Sequence, residues 1–170
     1  MPRTYVVDAG ALFSTWTKRV GEGVFSTTTD VVDEIRNRPS KFRADLLEVL
    51  DRLREEAPPT DSINAARRAA TETGDDSILS ETDIELIALA HSKRQDGSSI
   101  VLVSTDLAVL NTARHMGIET VDPSGKFKDD IKWVSICPAC GHRSVASKAG
   151  LECPVCGTPM RRRVFKKGRK

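Results

Sequence analysis

The chain has 170 residues, which is enough for one domain of ordinary size and a small additional module. Hydrophobic residues make up 39% of it but aromatic residues only 5%, so aliphatic side chains must form most of the core. No apolar run approaches the ~20 residues that span a membrane, and Asp8 interrupts the N-terminus where a signal peptide would continue apolar. We therefore expect a soluble, cytoplasmic protein without a membrane partner.

The net charge of +2 conceals an uneven distribution along the chain. Residues 1–132 contain 17 basic and 23 acidic side chains, whereas residues 133–170 contain nine basic side chains and one acid, Glu152. A basic end on an acidic protein indicates a polyanionic partner such as nucleic acid. The alternative is a basic end that only improves solubility.

In the first half of the chain, short apolar runs alternate with segments of helical periodicity. Pro39 and Pro58 end two of the predicted helices. The predicted elements are a strand Thr4–Val7, an interrupted helix Ala9–Val20, a strand Phe25–Thr28, and helices Thr29–Arg38, Lys41–Glu55 and Asp61–Thr73.

The second half continues the same alternation. Ser80 and Asp83 have the spacing of a capping box at the start of a helix. The predicted elements are that helix, Glu81–Lys93, the buried strand Ile100–Ser104, a helix Leu107–Met116 and a last strand Ile118–Val121. Strands that alternate with helices predict an α/β domain, residues 1–122, with a parallel sheet flanked by helices. A polar linker, residues 123–132, should follow.

Residues 133–160 carry all four cysteines, in the spacing C-x2-C-x12-C-x2-C. The two segments Cys137-Pro-Ala-Cys140-Gly and Cys153-Pro-Val-Cys156-Gly are near-copies, and each predicts a tight turn that directs two sulfurs to one point. Four such sulfurs suit one structural Zn²⁺ in a zinc ribbon. Two disulfides in a secreted domain are the alternative, but nothing else in the sequence indicates secretion.

Four acids are candidates for a second metal site. Asp8 and Asp106 follow apolar strands, Glu34 lies within a helical pattern and Asp83 lies in the first turn of a helix. If they converge, they need a cation, and Mg²⁺ or Mn²⁺ prefers such oxygen ligands. Metal-assisted phosphodiester hydrolysis is then the expected chemistry. Each acid also has an ordinary explanation: Asp83 could simply cap its helix, and Asp30 or Asp33 could replace Glu34.

The order of Val7-Asp8, Glu34, the segment Ser80–Asp83 and Thr105-Asp106 resembles the four acidic positions of PIN-domain nucleases. With the C-P-x-C-G turns and the basic end, the chain looks like the Nin-one-binding endoribonucleases in their short archaeal form. The segments after Asp106 and Met116 are also similar to that family. Many PIN domains have two adjacent acids at the fourth position, whereas this chain has Thr105 before Asp106, which puts a second tightly bound metal in question.

The resemblance implies a Mg²⁺- or Mn²⁺-dependent endoribonuclease that cuts precursor ribosomal RNA at the 3′ end of the small-subunit RNA. Asp8, Glu34, Asp83 and Asp106 would be its catalytic acids, with the first, third and fourth as metal ligands. The small ribosomal subunit and assembly factors would be its partners. Two other functions stay open: a toxin-type PIN nuclease, and a non-catalytic zinc-ribbon factor for ribosome assembly.

The basic end supplies the expected RNA contacts. Residues 161–170 are predicted to be a basic tail, and the ribbon extends its positive surface. Because the acidic domain would repel RNA, these cations should provide most of the attraction. The candidate RNA-binding residues are Arg143, Lys148, Arg161, Arg162, Arg163, Lys166 and Lys167.

Overall fold

A computed structural model describes residues 3–20, 23–36, 52–127, 133–145 and 152–164. It contains a five-stranded parallel sheet and a separate three-stranded antiparallel sheet. The strands of the first sheet are β1 (Thr4–Val7), β2 (Val24–Thr27), β3 (Leu53–Glu55), β4 (Ile100–Val103) and β5 (Glu119–Val121). The described helices of this domain are α1 (Ala9–Phe13), α2 (Thr29–Arg36), α3 (Thr60–Thr73), α4 (Glu81–Gln95) and α5 (Leu107–His115), with a 3-10 turn at Trp16–Lys18.

The spatial order of the parallel strands is β3-β2-β1-β4-β5. From β1 the chain proceeds outward through β2 and β3, and it then returns to place β4 on the other side of β1. The strand order therefore reverses between β1 and β4. In open parallel sheets, the crevice beyond the carboxyl ends of two such strands is the usual ligand site.

The core of this domain is aliphatic. All four residues of β4 are buried, and Phe25 is the one aromatic side chain among the fully buried core residues of the described segments. Helix α4 packs against α3, α5 and β4, and it buries six side chains around most of its circumference. Leu86 and Leu89 widen the apolar stripe of this helix beyond Ile84 and Ile87. No helix in the described part of the chain is long and apolar enough to cross a membrane.

Two segments of this domain differ in kind from the sequence prediction. Leu53–Glu55 is an edge strand, whereas the sequence predicts a helix from Lys41 to Glu55; the rest of that prediction, apart from Arg52, lies outside the described residues. A three-residue edge strand with two exposed charged side chains has no apolar alternation to identify it. Residues 123–127 do not extend away from the domain: Asp122 accepts backbone hydrogen bonds from Lys126 and Phe127, and Phe127 packs on the core.

The second sheet belongs to the cysteine module and has the order β7-β6-β8. Its strands are β6 (Trp133–Ile136), β7 (Arg143–Val145) and β8 (Arg161–Val164). Strand β8 pairs antiparallel with β6 along its whole length. The first four residues that the sequence places in a basic tail are therefore a strand of the ribbon, because their backbone groups complete its sheet. Residues 165–170 lie outside the described residues.

Candidate active site and metal centre

The candidate acids come from elements that meet at the carboxyl edge of the parallel sheet. Strands β1 and β4 pair in register, with Val7 opposite Val103. Asp8 therefore follows β1 directly beside Ser104, which follows β4. The backbone N–H of Asp8 donates to the Val103 carbonyl at 3.2 Å, so the pairing continues to the edge.

Asp8 is the most constrained of the acids. Its carboxylate caps α1 by accepting the N–H of Ala11, and it also accepts the N–H of Thr105 at 3.2 Å and the hydroxyl of Ser104. Burial raises the pKa of this carboxyl above its ordinary value, although these three donors act in the opposite direction. The negative charge of Asp83 raises the pKa further. A buried carboxylate in this electrostatic environment favours a bound cation.

Ser104 links the first acid to the last one. Its fully buried hydroxyl donates to Asp8 and accepts the backbone N–H of Asp106 at 2.9 Å. Asp106 in turn caps α5, because its Oδ1 accepts the N–H of Ala108 at 2.7 Å. From the sequence, Ser104 is predicted only to be the end of a strand. The polar residue at the end of the apolar run Ile100–Val103 was the feature of the sequence that could have identified it as part of the site.

Asp83 approaches the edge from the start of α4. It forms the predicted capping box: its Oδ2 accepts the N–H of Ser80 at 2.9 Å, and its own N–H donates to the Ser80 hydroxyl at 3.2 Å. Its negative charge is one of the causes that raise the pKa of Asp8, after burial, so the two carboxylates repel each other. Asp83 thus has both the capping role and a position at the candidate site.

Glu34 is placed differently. It is exposed on α2, next to the buried Ile35, and no contact joins it to the other three acids among the described residues. Nor do any three carboxylates in the described segments bring ligand atoms within 4.8 Å of one another. Three of the acids instead use their oxygens as helix caps. Because like charges repel, a tighter cluster would require a cation to offset the repulsion.

Thr105 occupies the position at which many PIN domains carry an additional acid. A Cβ atom built on Gly10, in the first turn of α1, would collide with the Thr105 hydroxyl. The close approach of α1 to the loop after β4 therefore depends on glycine at position 10. It also keeps the Thr105 hydroxyl at the edge that holds Asp8.

The four cysteines form the one cluster of metal-ligand side chains found in the described part of the chain. Their sulfurs all lie within 4.8 Å of one another, and the pairs Cys137–Cys156 and Cys140–Cys153 are 3.4 and 3.5 Å apart. Zn–S bonds of ~2.3 Å in a tetrahedron require sulfur separations of about 3.8 Å. All four thiols are free and too far apart for a disulfide bond. The cluster fits one zinc ion without an open coordination position.

Two turns of the same construction position these sulfurs. The N–H of Gly141 donates to the Cys137 carbonyl at 3.0 Å, and the N–H of Gly157 donates to the Cys153 carbonyl at 2.8 Å. Both glycines have φ near +70°, which L side chains rarely adopt. Contacts with Thr158 lower the pKa of Cys156 to about 6, which favours the thiolate that a metal needs.

The cysteine module contacts the α/β domain through a buried ion pair. Arg162 of β8 donates to Asp75, which follows α3, at 2.6 Å between Nη2 and Oδ1. Their side chains are only 15% and 2% exposed. Asn111 donates to the other oxygen of Asp75 at 2.7 Å, and the Arg162 guanidinium lies 4.0 Å from the centre of the Trp133 ring.

This ion pair changes the interpretation of the predicted RNA contacts. Neighbouring residues of a strand face opposite ways, so Arg161 and Arg163 are exposed while Arg162 is directed at the α/β domain. Arg162 is therefore engaged by Asp75 and is not positioned to bind RNA. Arg143 is exposed on β7, whereas Lys148, Lys166 and Lys167 lie outside the described residues.

Known proteins are similar to this chain over most of its length. Residues 5–92 match a family described as the PIN domain of ribonuclease. Endoribonuclease Nob1 of Archaeoglobus fulgidus is 35% identical over 91% of this chain and 87% of its own length. Endoribonuclease Nob1 of Pyrococcus abyssi is 32% identical over 79% of this chain and 81% of its own length. Ribonuclease VapC1 of Thermoplasma acidophilum is 26% identical over 96% of this chain and 79% of its own length.

Proposed function

Because the chain belongs to the PIN-domain endoribonucleases of the Nob1 family, we propose that it cleaves precursor ribosomal RNA at the 3′ end of the small-subunit RNA. The observation that carries this proposal is the hydrogen-bonded group at the reversal of strand order. Ser104 ties Asp8 to Asp106, and the negative charge of Asp83, in the first turn of α4, acts on Asp8. A group of carboxylates at this edge suits a nuclease that works with a divalent cation.

In the proposed mechanism, Asp8, Asp83 and Asp106 would hold Mg²⁺ or Mn²⁺, and Glu34 would be the fourth acid, on α2. Such a cation would supply positive charge at the scissile phosphate and would activate water for hydrolysis. The protein's own contribution is to fix the acids. Ser104 and the N–H of Thr105 hold one oxygen of Asp8, and capping bonds hold Asp83 and Asp106. This fixed arrangement reduces the reorganisation that catalysis would otherwise require.

The C-terminal module has a separate role in this proposal. Zn²⁺ bound by the four cysteines stabilises the ribbon, and Arg143, Arg161 and Arg163, with the lysines beyond the described residues, attract the RNA backbone. The small ribosomal subunit would present that RNA, and assembly factors could control access to it. This division of roles explains why the two parts of the chain have opposite charges: the nuclease domain needs acids to hold a cation, and the ribbon needs cations to attract RNA.

Cleavage of a small-subunit RNA precursor tests the proposal. We expect product ends at the mature 3′ terminus with Mn²⁺ and loss of at least 100-fold in rate for Asp106→Asn, since removal of one preorganised charge at a transition state costs about 10²–10³-fold. RNA affinity should stay intact or rise. Asp96→Asn, an exposed acid at the opposite end of β4, is the matched control and should cleave normally. Full activity of Asp106→Asn would contradict the proposal.

A toxin-type ribonuclease is the second candidate, and the likeness to VapC1 over most of the chain favours it. It would be distinguished by growth arrest on expression that a small neighbouring protein relieves. A non-catalytic assembly factor would bind RNA but show no response to Mn²⁺ at Asp8 and Asp106 in an NMR titration.

A further inference from the structure

A cleft of about 270 Å³ lies where the cysteine module meets the α/β domain. Asp106 and Leu107, at the start of α5, line it on the domain side, and Trp133 of β6 lines it on the ribbon side. The cleft therefore shares a wall with one of the candidate metal acids, although its other lining residues are not part of the acid group.

The lining of this cleft is apolar and exposed. Four large hydrophobic side chains are exposed in the described segments, and two of them, Ile78 at 55% and Leu107 at 40%, line it. Ala108 and Trp133 add apolar surface. Clustered apolar side chains on a surface commonly mark a binding site, and here they lie directly beside a candidate catalytic carboxylate.

The aromatic side of the cleft is held in place. The Arg162 guanidinium covers the Trp133 ring at 4.0 Å, and the ion pair with Asp75 fixes that guanidinium. Asp75 and Asn111 also line the cleft, but the carboxylate is already occupied by Arg162 and by the Asn111 amide. The cleft consequently offers a rigid aromatic and aliphatic surface beside Asp106, and the charge of its other acid, Asp75, is already compensated. A flat, uncharged group fits these properties.

We propose that this cleft binds the nucleobase of a nucleotide adjacent to the scissile phosphate, with Trp133 and Ile78 as positioning residues. The inference rests on the proposed endoribonuclease function. A phosphate at Asp106 brings the bases on either side of it near this wall of the site. Bases of single-stranded RNA stack on aromatic side chains irrespective of sequence. The ribbon would then orient the substrate for cleavage as well as attract it.

Abasic RNA substrates test this site. Removing the base at one nucleotide next to the cleavage position should lower kcat/KM of the wild type by about tenfold, in the range that base stacking contributes. Ile78→Ser should lower kcat/KM on intact RNA by a similar factor. On the abasic RNA the same substitution should lower kcat/KM little further, because that RNA lacks the base that Ile78 would contact. Ile78 is more than half exposed, so the variant is expected to fold.

Fluorescence gives an independent measurement. The chain has two tryptophans, so a Trp16→Phe, Asp8→Asn protein reports Trp133 alone and does not cleave the RNA. Binding of intact RNA should quench the Trp133 emission, and the abasic RNA should quench it less. Equal quenching by the two RNAs would overturn the proposal.

The matched control is Ala57→Ser, which alters an exposed apolar side chain outside both the cleft and the cysteine turns. This variant should cleave intact RNA normally, and removal of the base should lower its kcat/KM as much as it does for the wild type. If the wild type cleaves but Ile78→Ser shows the same abasic penalty, the base site is overturned and the nuclease function stands. If the wild type cleaves no precursor at all, the proposed function itself fails.

Discussion

Ser104 is a single side chain that organises the candidate catalytic edge. Its hydroxyl donates to the carboxylate of Asp8, which is 96 residues away in the sequence, and it accepts the backbone N–H of Asp106. Because the residue is completely buried, neither bond competes with bulk water. The alignment of Asp8 with Asp106 therefore depends on this hydroxyl as well as on the strand pairing.

Ser104→Ala should reduce catalysis more than it reduces stability. Loss of the hydroxyl leaves Asp8 and the Asp106 N–H each short of one buried partner, which costs about 1–3 kcal/mol of unfolding free energy. We expect kcat to fall by at least tenfold, measured on the RNA precursor, because the acids lose their alignment. Ser26→Ala is the control: this buried serine donates to Glu56 instead, so its loss should lower stability with normal kcat. Equal kcat in the two variants would contradict this role.

The raised pKa of Asp8 predicts a pH-dependent contribution to stability. The folded protein holds the carboxyl proton more tightly than the unfolded chain, whose pKa is near the ordinary value of 3.8. The stabilisation is therefore fully present below that pH and is lost as the pH rises through the folded pKa. The free energy of unfolding of the wild type, relative to Asp8→Asn, should fall as the pH rises above about 4 without divalent cations. Denaturant titrations at several pH values measure it, and a constant difference would refute the assignment.

At the scale of elements, the turns around the cysteines and strand β8 serve different purposes. The turns collect four sulfurs, and the module has only a small core of Cys137, Cys153 and Met160 in its described residues. Strand β8 completes the sheet and directs Arg162 at Asp75. The cysteine cluster thus gathers the two turns of the ribbon, and the ion pair attaches the ribbon to the nuclease domain.

Chelation should unfold the ribbon but leave the α/β domain folded. A module with so small a core depends on its metal, whereas the five-stranded sheet has an independent aliphatic core. Single-tryptophan variants separate the two responses: Trp133 emission should shift to the red, and that of Trp16, which packs on Tyr5, should not. The remaining domain should also lose stability, because Asp75 is left buried without Arg162. Simultaneous loss of both signals would mean that the modules fold as one unit.

At the scale of the whole molecule, charge is separated between the two parts. The acidic domain carries the candidate catalytic group, and the basic ribbon carries the exposed Arg143, Arg161 and Arg163. RNA should therefore be attracted mainly by the ribbon and be positioned for cleavage where the two parts meet. The Arg162–Asp75 pair lies at that meeting point.

Removing exposed ribbon cations should weaken RNA binding in a salt-dependent manner. Each phosphate contact contributes about 0.7 to the slope of log affinity against log salt for a single strand. The double variant Arg161→Ala, Arg163→Ala should reduce the magnitude of that slope by about 1.4, measured by fluorescence anisotropy at several salt concentrations. Arg54→Ala, an exposed cation on the edge strand β3, should leave the slope unchanged. An unchanged slope in the double variant would place the RNA elsewhere.

The sequence by itself determined the α/β alternation, the cysteine cluster and the position of Asp8 and Asp106 at strand ends. These features follow from periodicity and spacing within short segments of the sequence, and they do not depend on contacts with distant residues. The tertiary structure alone decided the edge strand β3, the bridging role of Ser104 and the inward orientation of Arg162. Each of these depends on partners far apart in sequence, such as Asp75 and Arg162 at a separation of 87 residues, and a buried contact between distant residues leaves no local pattern to read.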